Sequence, residues 1–179
     1  MAHKTYYYAV QAHKSVPVQD GVEFRREVQR VLADARGWSG AGIEFVFSPS
    51  TEDFKKAPWK NAIVIRLTPE SKMRQLFPGF PQLSVCNMVT RVIHINQGRW
   101  DGSLPNQSKL SLPDYRAYVI NHEVGHALGK GHSAVNIHSE SNKHKKAPIM
   151  VQQTLGIGHF LPNAWPTEPE LRELKEEMK

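Results

Sequence analysis

The amino-acid sequence predicts an α+β fold in a single domain, and three observations support this prediction. The chain has 179 residues, which fits the roughly 100–200 residues of one domain. Its composition is 40% hydrophobic and 22% charged, which is typical of a globular protein and argues against wholesale disorder, collagen and a coiled coil. The segments follow in the order strand, helix, further strands, long helix, irregular segment and final helix. No change in composition marks a second domain, so we expect one domain over residues 1–179.

Five segments have sequences typical of strands. They are residues 5–11, 43–47, 61–67, 83–86 and 91–96. The first is rich in aromatic and β-branched side chains, and the next two alternate between apolar and polar side chains, as a half-buried strand does. The last two predict a hairpin with its turn at Asn87 and Met88.

Helical signals in the first half of the chain predict one long and one short helix. Asp20 and Glu23 form a capping-box pattern, and the apolar residues that follow recur along one helical face. We expect this helix to end at Gly37. A short helix is expected over residues 71–77, and residues 98–112 are expected to form a loop.

The second half of the chain predicts a long helix, an irregular segment and a final helix. The long helix covers residues 113–128 and is closed by Gly129. The segment that follows has scattered glycines and prolines and no periodicity. Thr167 and Glu170 then form a capping-box pattern for a last helix over residues 169–178.

The charge balance of the chain bears on its partners. The net charge is +6 and the isoelectric point is near 9.5, which favours solubility and weak attraction to polyanions. The densest basic run covers residues 143–146 and is too short for a nucleic-acid-binding arm. We therefore expect no nucleic-acid partner, and we expect a monomer.

Cysteine content and hydropathy further limit the kinds of metal site, cross-link and cellular location that the chain can have. Cys86 is the only cysteine, which excludes an intrachain disulfide and a cysteine-cluster metal site. No stretch reaches the ~18 consecutive apolar residues of a membrane helix, and the first residues lack the apolar core of a secretory signal. The chain as given is expected to be cytoplasmic. The alternative is a secreted or cell-envelope protein whose leader has been removed.

The most informative residues are two histidines and a glutamate on the predicted long helix. His122 and His126 are four residues apart, so their imidazoles project from one face and can converge on one ion. Glu123 follows the first histidine, where a carboxylate can reach a metal-bound water without binding the metal. The alternative is a helix with two histidines facing solvent.

A third histidine follows the expected end of this helix. Gly129 can adopt the left-handed conformation that turns the chain sharply. His132 then completes a set of three imidazoles and leaves a fourth position for water, as in catalytic rather than structural zinc sites. The predicted cofactor is one catalytic Zn²⁺ ion.

The pattern His-Glu-x-x-His-x-x-Gly-x-x-His over residues 122–132, followed by a methionine, resembles the metzincin signature. Residues 147–150, with the sequence Ala-Pro-Ile-Met, lie in the expected place for the metzincin methionine turn. The resemblance implies that Met150 forms an apolar floor beneath the three histidines without binding the metal. The alternative is an ordinary core methionine.

The resemblance extends along most of residues 5–166 to a family of metzincin-like domains from actinobacteria, the DUF3152 type. The segments that carry it are residues 32–38, 96–100, 115–126, 147–154 and 162–166. It implies a metzincin-like zincin fold, with a small twisted mixed sheet, a backing helix, an active-site helix, an irregular C-terminal part with the methionine turn, and a C-terminal helix. The upper part would cover about residues 1–129 and the lower part about residues 130–179.

The same resemblance implies a zinc-dependent endopeptidase in which Glu123 acts as general base. Its substrate would be an extended peptide or protein segment that pairs with an exposed strand edge. By resemblance this edge is the strand that contains Ser84, Val85 and Cys86.

The sequence departs from some metzincins at the position two residues after the turn methionine. Those metzincins have a tyrosine there that steadies the transition state, and this chain has Gln152. The stabilising group is therefore unassigned, with Gln152 and Gln153 as candidates. Cys86 has two interpretations, a buried free thiol or a thiolate that caps the metal and keeps the enzyme latent.

Three alternatives to a peptidase follow from the same residues. One is a zinc-bearing module that binds peptide without turnover, and the intact Glu123 counts against it. Another is a zinc hydrolase that acts on a non-peptide amide. The third is a basic nucleic-acid-associated protein with an incidental histidine cluster, which would show salt-dependent DNA retention and no stoichiometric zinc.

Overall fold

The computed structural model describes residues 4–55 and 61–179, and its architecture is α+β with a five-stranded mixed sheet. The strands are β1 (Lys4–Ala12), β2 (Ile43–Phe47), β3 (Ala62–Thr68), β4 (Val85–Asn87) and β5 (Val92–Asn96). Their order in the sheet is β2-β1-β3-β5-β4. Among the described strands only β4 runs antiparallel to its neighbour. It lies at one edge of the sheet, with β5 on one side.

Five α-helices accompany the sheet in residues 4–55 and 61–179. They are α1 (Val18–Ala33), α2 (Glu70–Leu76), α3 (Gln97–Asp101), α4 (Leu112–Ala127) and α5 (Glu168–Glu177). Short 3₁₀ turns occur at Trp38–Ala41, Thr51–Lys55 and Glu140–Asn142. No helix in the described part of the chain has the length and apolar character needed to cross a bilayer.

The main core lies between the sheet and the two longest helices. The central strand β3 buries Ile63, Ile65 and Leu67 in one cluster with apolar side chains of α1 and α4. Strands β1 and β5 pair with β3 on both sides, so the backbone N–H and C=O groups of β3 have hydrogen-bond partners although the strand is buried. This packing fixes α4 against the sheet, and α4 also contacts the edge strand β4.

The strands confirm the sequence predictions closely, whereas both ends of the first helix were predicted wrongly. Helix α1 begins at Val18 and has no side-chain cap, so the expected capping box at Asp20 does not form. Glu23 instead forms an ion pair with Arg116 on α4, with 2.6 Å between Oε1 and Nη1. The helix ends at Ala33, four residues before Gly37, because Asp34 is already extended.

Two turns also differ from expectation. The expected loop over residues 98–112 contains part of α3, because Asn96 caps its first turn by accepting from the Gly98 N–H at 2.8 Å. Gly102 ends that helix in the left-handed region. In the hairpin, Asn87 belongs to β4 itself, and its side-chain oxygen accepts from backbone N–H groups of the turn that follows.

The C-terminal part is irregular, as predicted, until α5 begins. The capping box at Thr167 and Glu170 is present. Between α4 and α5 the described chain contains one 3₁₀ turn and an isolated bridge between Lys146 and Leu161. Turns and side-chain hydrogen bonds therefore determine where most of this segment lies.

Candidate metal and active site

Helix α4 carries the first two histidines and the glutamate of the site. Ser111 caps its first turn by accepting from the Asp114 N–H, and a proline follows at the start of the helix. The helix is buried on most of its faces, and both His122 and Glu123 are only 5% exposed. A buried polar side chain needs a partner, so His122 and Glu123 each require a hydrogen-bonding group or a metal ion beside them.

The three predicted histidines come together. One ring nitrogen from each of His122, His126 and His132 lies within 4.8 Å of the others. The closest pair is Nε2 of His126 and Nε2 of His132, at 3.1 Å. Among the residues that the structure describes, this is the one group of its kind.

In two of these histidines the ring nitrogen that points away from the cluster, Nδ1, forms a hydrogen bond with a backbone carbonyl. Nδ1 of His122 is 2.8 Å from the carbonyl oxygen of Ile149, and Nδ1 of His126 is 2.7 Å from that of Lys130. A carbonyl only accepts, so both Nδ1 atoms are protonated donors. Both Nε2 atoms therefore keep their lone pairs. Metal-binding histidines almost always have an outer partner of this kind, so this donor set fits a metal ion.

Burial keeps the three imidazoles neutral. It lowers the pKa of His122 to about 3, and the two other histidines act in the same direction. Burial also lowers the pKa of His126 and of His132. Neutral imidazole is the form that binds metals, and nitrogen ligands suit Zn²⁺ as well as other transition metals.

The turn after α4 brings the third histidine back. Gly129 has φ +97°, in the region that favours glycine. The N–H of Lys130 donates to the Gly125 carbonyl at 2.9 Å, and the N–H of Ser133 donates to the Met150 carbonyl at 2.9 Å. The predicted glycine turn is present, and the backbone after His132 is tied to the segment that contains Met150.

Met150 lies against α4 at a glycine that sequence reasoning missed. A Cβ atom at Gly125 would collide with Sδ of Met150 and would lie 3.0 Å from the ring of Trp38. Met150 is 3% exposed and belongs to the main core cluster. Gly125 sits between the two helical histidines in sequence, so its missing side chain lets the thioether approach the helix there.

Glu123 lies beside the edge strand. Burial raises the pKa of Glu123 to about 8, and a hydrogen bond from the backbone of Cys86 acts in the opposite direction. Burial and the nearby Glu123 carboxylate raise the pKa of the Cys86 thiol to about 12. The thiol is therefore protonated at neutral pH in the metal-free protein, and the Cys86 residue is half-buried.

A cavity of about 510 Å³ opens beside the histidines and Glu123. Further side chains that line it are Ser84, Val85, Cys86, Tyr118, Val119, Gln152, Thr154 and Leu155. The three residues expected on the substrate edge thus line the cavity, and so does Gln152. Gln153 is fully buried instead, where its side-chain amide exchanges two hydrogen bonds with the backbone of Asn163.

Tyr118 is a further site residue beyond those predicted from the sequence, because it is buried in the core and also lines the cavity. Its ring lies 5.5 Å from that of His122. Its hydroxyl donates to the Val151 carbonyl at 3.0 Å and accepts from the Gln153 N–H at 2.8 Å. The signal was its position four residues before His122, which places both side chains on one helix face.

The fold and the site together define an α+β protein with a three-histidine candidate metal centre. Residues 1–167 match the family described as Protein of unknown function (DUF3152), and the chain belongs to this family. A search of curated proteins gives no match. The predicted resemblance to the DUF3152 family is thereby confirmed, whereas the metzincin-type activity stays a prediction.

Proposed function

We propose that this protein is a zinc-dependent endopeptidase of the metzincin type. The observation that carries the proposal is the convergence of three imidazoles at a cavity that also contains Glu123 and the edge strand β4. A metal-binding set, a carboxylate and a free strand edge in one place are the parts that metal-assisted peptide hydrolysis needs.

His122, His126 and His132 would hold the ion, with Nε2 of the first two as donor atoms. The carbonyls of Ile149 and Lys130 keep these rings in the required tautomer and orientation. When bound, Zn²⁺ would supply a Lewis acid that polarises the scissile carbonyl and lowers the pKa of a water molecule.

Glu123 would be ionised once a cation held beside it lowers its raised pKa, and its carboxylate would take a proton from the attacking water and pass it to the leaving amine. It follows His122 on α4 and lines the same cavity as the three histidines. Cys86 of β4 lines the same cavity as Glu123, so the carboxyl group lies on the side where substrate is proposed to lie.

The substrate would be a peptide in extended conformation that pairs with β4. Among the described strands β4 pairs with β5 alone, so its other edge can pair with a further strand. Backbone pairing gives affinity with little specificity, and the apolar side chains of the cavity would select among sequences.

Gln152 is the remaining candidate for stabilising the oxyanion. It lines the cavity, whereas the side chain of Gln153 is bound to Asn163. A side-chain amide can donate to a developing negative charge.

Cleavage of a mixed peptide library by the zinc-loaded protein tests the proposal. We expect Glu123→Gln to lower the rate by a factor of about 10²–10⁴ while zinc stays bound. The matched control is Glu44→Gln, at an exposed glutamate on β2, the opposite edge of the sheet, and it should cleave like the native protein. Zinc binding without cleavage would indicate a peptide-binding module instead.

A further inference from the structure

One peptide group connects His122 to a carboxylate on α5. The carbonyl oxygen of Ile149 accepts from Nδ1 of His122 at 2.8 Å. The N–H of Met150, at the other end of the same planar peptide group, donates to Oε1 of Glu170 at 3.0 Å. The resulting chain of hydrogen bonds runs from a carboxylate through a peptide to an imidazole.

The Glu170 carboxylate is buried and firmly held. Glu170 is 9% exposed, and its Oε2 accepts from the Ile149 N–H at 2.9 Å. Oε2 also accepts from the N–H and the hydroxyl of Thr167, at 2.8 and 2.7 Å. The capping-box residue Glu170 at the start of α5 therefore also supplies a fixed carboxylate that binds the backbone N–H groups of Ile149 and Met150.

We infer that Glu170 is a positioning residue that tunes the metal affinity of His122 through the Ile149–Met150 peptide. Hydrogen bonds in series polarise one another. A carboxylate at the N–H end makes the carbonyl a stronger acceptor, and the stronger hydrogen bond at Nδ1 makes Nε2 of His122 a stronger donor to a metal. The inference rests on the metal site of the proposed function.

The same helix also supports the second histidine. The carbonyl that binds Nδ1 of His126 belongs to Lys130. The Lys130 ammonium group forms ion pairs with Glu173 and Glu177 at 2.9 and 2.8 Å. These two glutamates lie three and seven residues after Glu170, on one face of α5.

Zinc affinity, measured by competition with a chromophoric chelator, tests the inference without any assay of hydrolysis. We expect Glu170→Gln to raise the zinc dissociation constant by a factor of about 10–100. Unfolding of the metal-free variants, followed by circular dichroism, measures fold stability separately. Thr167→Ala is the matched control, because it removes only the hydroxyl of the capping box, whereas the backbone N–H groups of residue 167, Ile149 and Met150 still bind the Glu170 carboxylate. It should lower the unfolding temperature but change the dissociation constant by less than about twofold.

Two results would overturn the inference. One is a dissociation constant for Glu170→Gln within about twofold of the native value, and the other is an equal weakening by Thr167→Ala. If Glu170→Gln does not fold, Glu170→Asp takes its place, since its shorter side chain draws the carboxylate away from the Met150 N–H. Unchanged affinity in that variant would contradict the inference, and weaker affinity would support it.

The proposed function and this inference can fail separately. Zinc binding without peptide cleavage would contradict the proposed function and leave the role of Glu170 standing. Cleavage with unchanged zinc affinity in Glu170→Gln would overturn the role of Glu170 alone. A native protein that binds no zinc would contradict both.

Discussion

The two regions that meet at the histidines are held together by different interactions. In the sheet region, described over residues 4–55 and 61–127, the hydrogen bonds of strands and helices pair most backbone N–H and C=O groups. Apolar side chains fill the core of this region. In the turn region, residues 128–167, buried side-chain amides and the carboxylate of Glu170 on α5 bind the backbone. His122 and His126 come from the first region and His132 from the second.

Gln153 and Asn163 illustrate how the turn region is built. Nε2 of Gln153 donates to the Asn163 carbonyl at 2.8 Å, and the Asn163 N–H donates to Oε1 of Gln153 at 3.1 Å. Asn163 in turn donates from its side chain to the Ala147 carbonyl at 2.8 Å. The side-chain amide of Gln153 thus forms the two backbone hydrogen bonds with Asn163 that a neighbouring strand would form in a sheet. This region should therefore be more sensitive to loss of a polar group than to loss of a methylene.

The largest effect is expected from Gln153→Leu. This change leaves the N–H and the carbonyl of Asn163 buried without their partners, so we expect the free energy of unfolding to fall by about 3 kcal/mol. Urea unfolding of the metal-free protein measures it. The neighbouring Gln152→Leu, at a half-buried side chain in the cavity wall, is the control and should change stability by less than about 0.5 kcal/mol. Equal effects at both positions would contradict this view of the turn region.

The next effect concerns the contact between the two regions. In Gly125→Ala the new methyl group collides with Sδ of Met150, so we expect a loss of about 2 kcal/mol from overpacking. Gly131→Ala is the control, since a Cβ at that position has no heavy atom of the described residues within 4 Å. Thermal unfolding distinguishes the two variants. If Gly125→Ala is as stable as Gly131→Ala, the methionine does not pack against α4 as described.

The smallest effect belongs to the sheet region and depends on pH. Burial, helped by Arg66, lowers the pKa of His94 from 6.5 to about 4, and its Nδ1 lies 3.0 Å from the hydroxyl of Thr68. Between these pH values the unfolded chain binds more protons at His94 than the folded protein does. His94 therefore favours the folded state above pH 6.5, and its contribution is lost as pH falls toward 4.

His94→Gln should reduce this pH dependence. The native metal-free protein loses up to about 1.4 kcal/mol per pH unit through one such histidine, and the variant should lose less over the same range. Urea unfolding at several pH values gives the two slopes. Identical slopes would mean that His94 is not kept neutral by its surroundings.

The sequence correctly predicted the features that depend on residues close together in the chain. The ligands on α4 follow from a separation of four residues on one helix, and the return of His132 follows from a glycine turn within the next three. Alternation and apolar runs located the strands. The sequence did not predict contacts between residues far apart in the chain. Glu23 resembled a helix cap but pairs with Arg116, so the start of α1 was misplaced.

The supporting groups of the site were missed for the same reason. Glu170 was predicted as a helix cap, and that role is confirmed, but no local pattern shows that its carboxylate also reaches the Met150 N–H. Gly125 likewise follows a helical pattern that does not reveal Met150 beside it. Both contacts join residues that are separated by turns without a periodic pattern, so the sequence alone does not reveal them.

The most direct test of the account is the zinc content of the purified protein and of two histidine variants, measured by elemental analysis. His132→Ala removes the ligand from the turn region, and His138→Ala removes an exposed histidine from the same region as a control. We predict one zinc per chain for the native protein and for His138→Ala, and loss of stoichiometric zinc in His132→Ala. A native protein without zinc, or full retention of zinc by His132→Ala, would contradict a three-histidine metal centre.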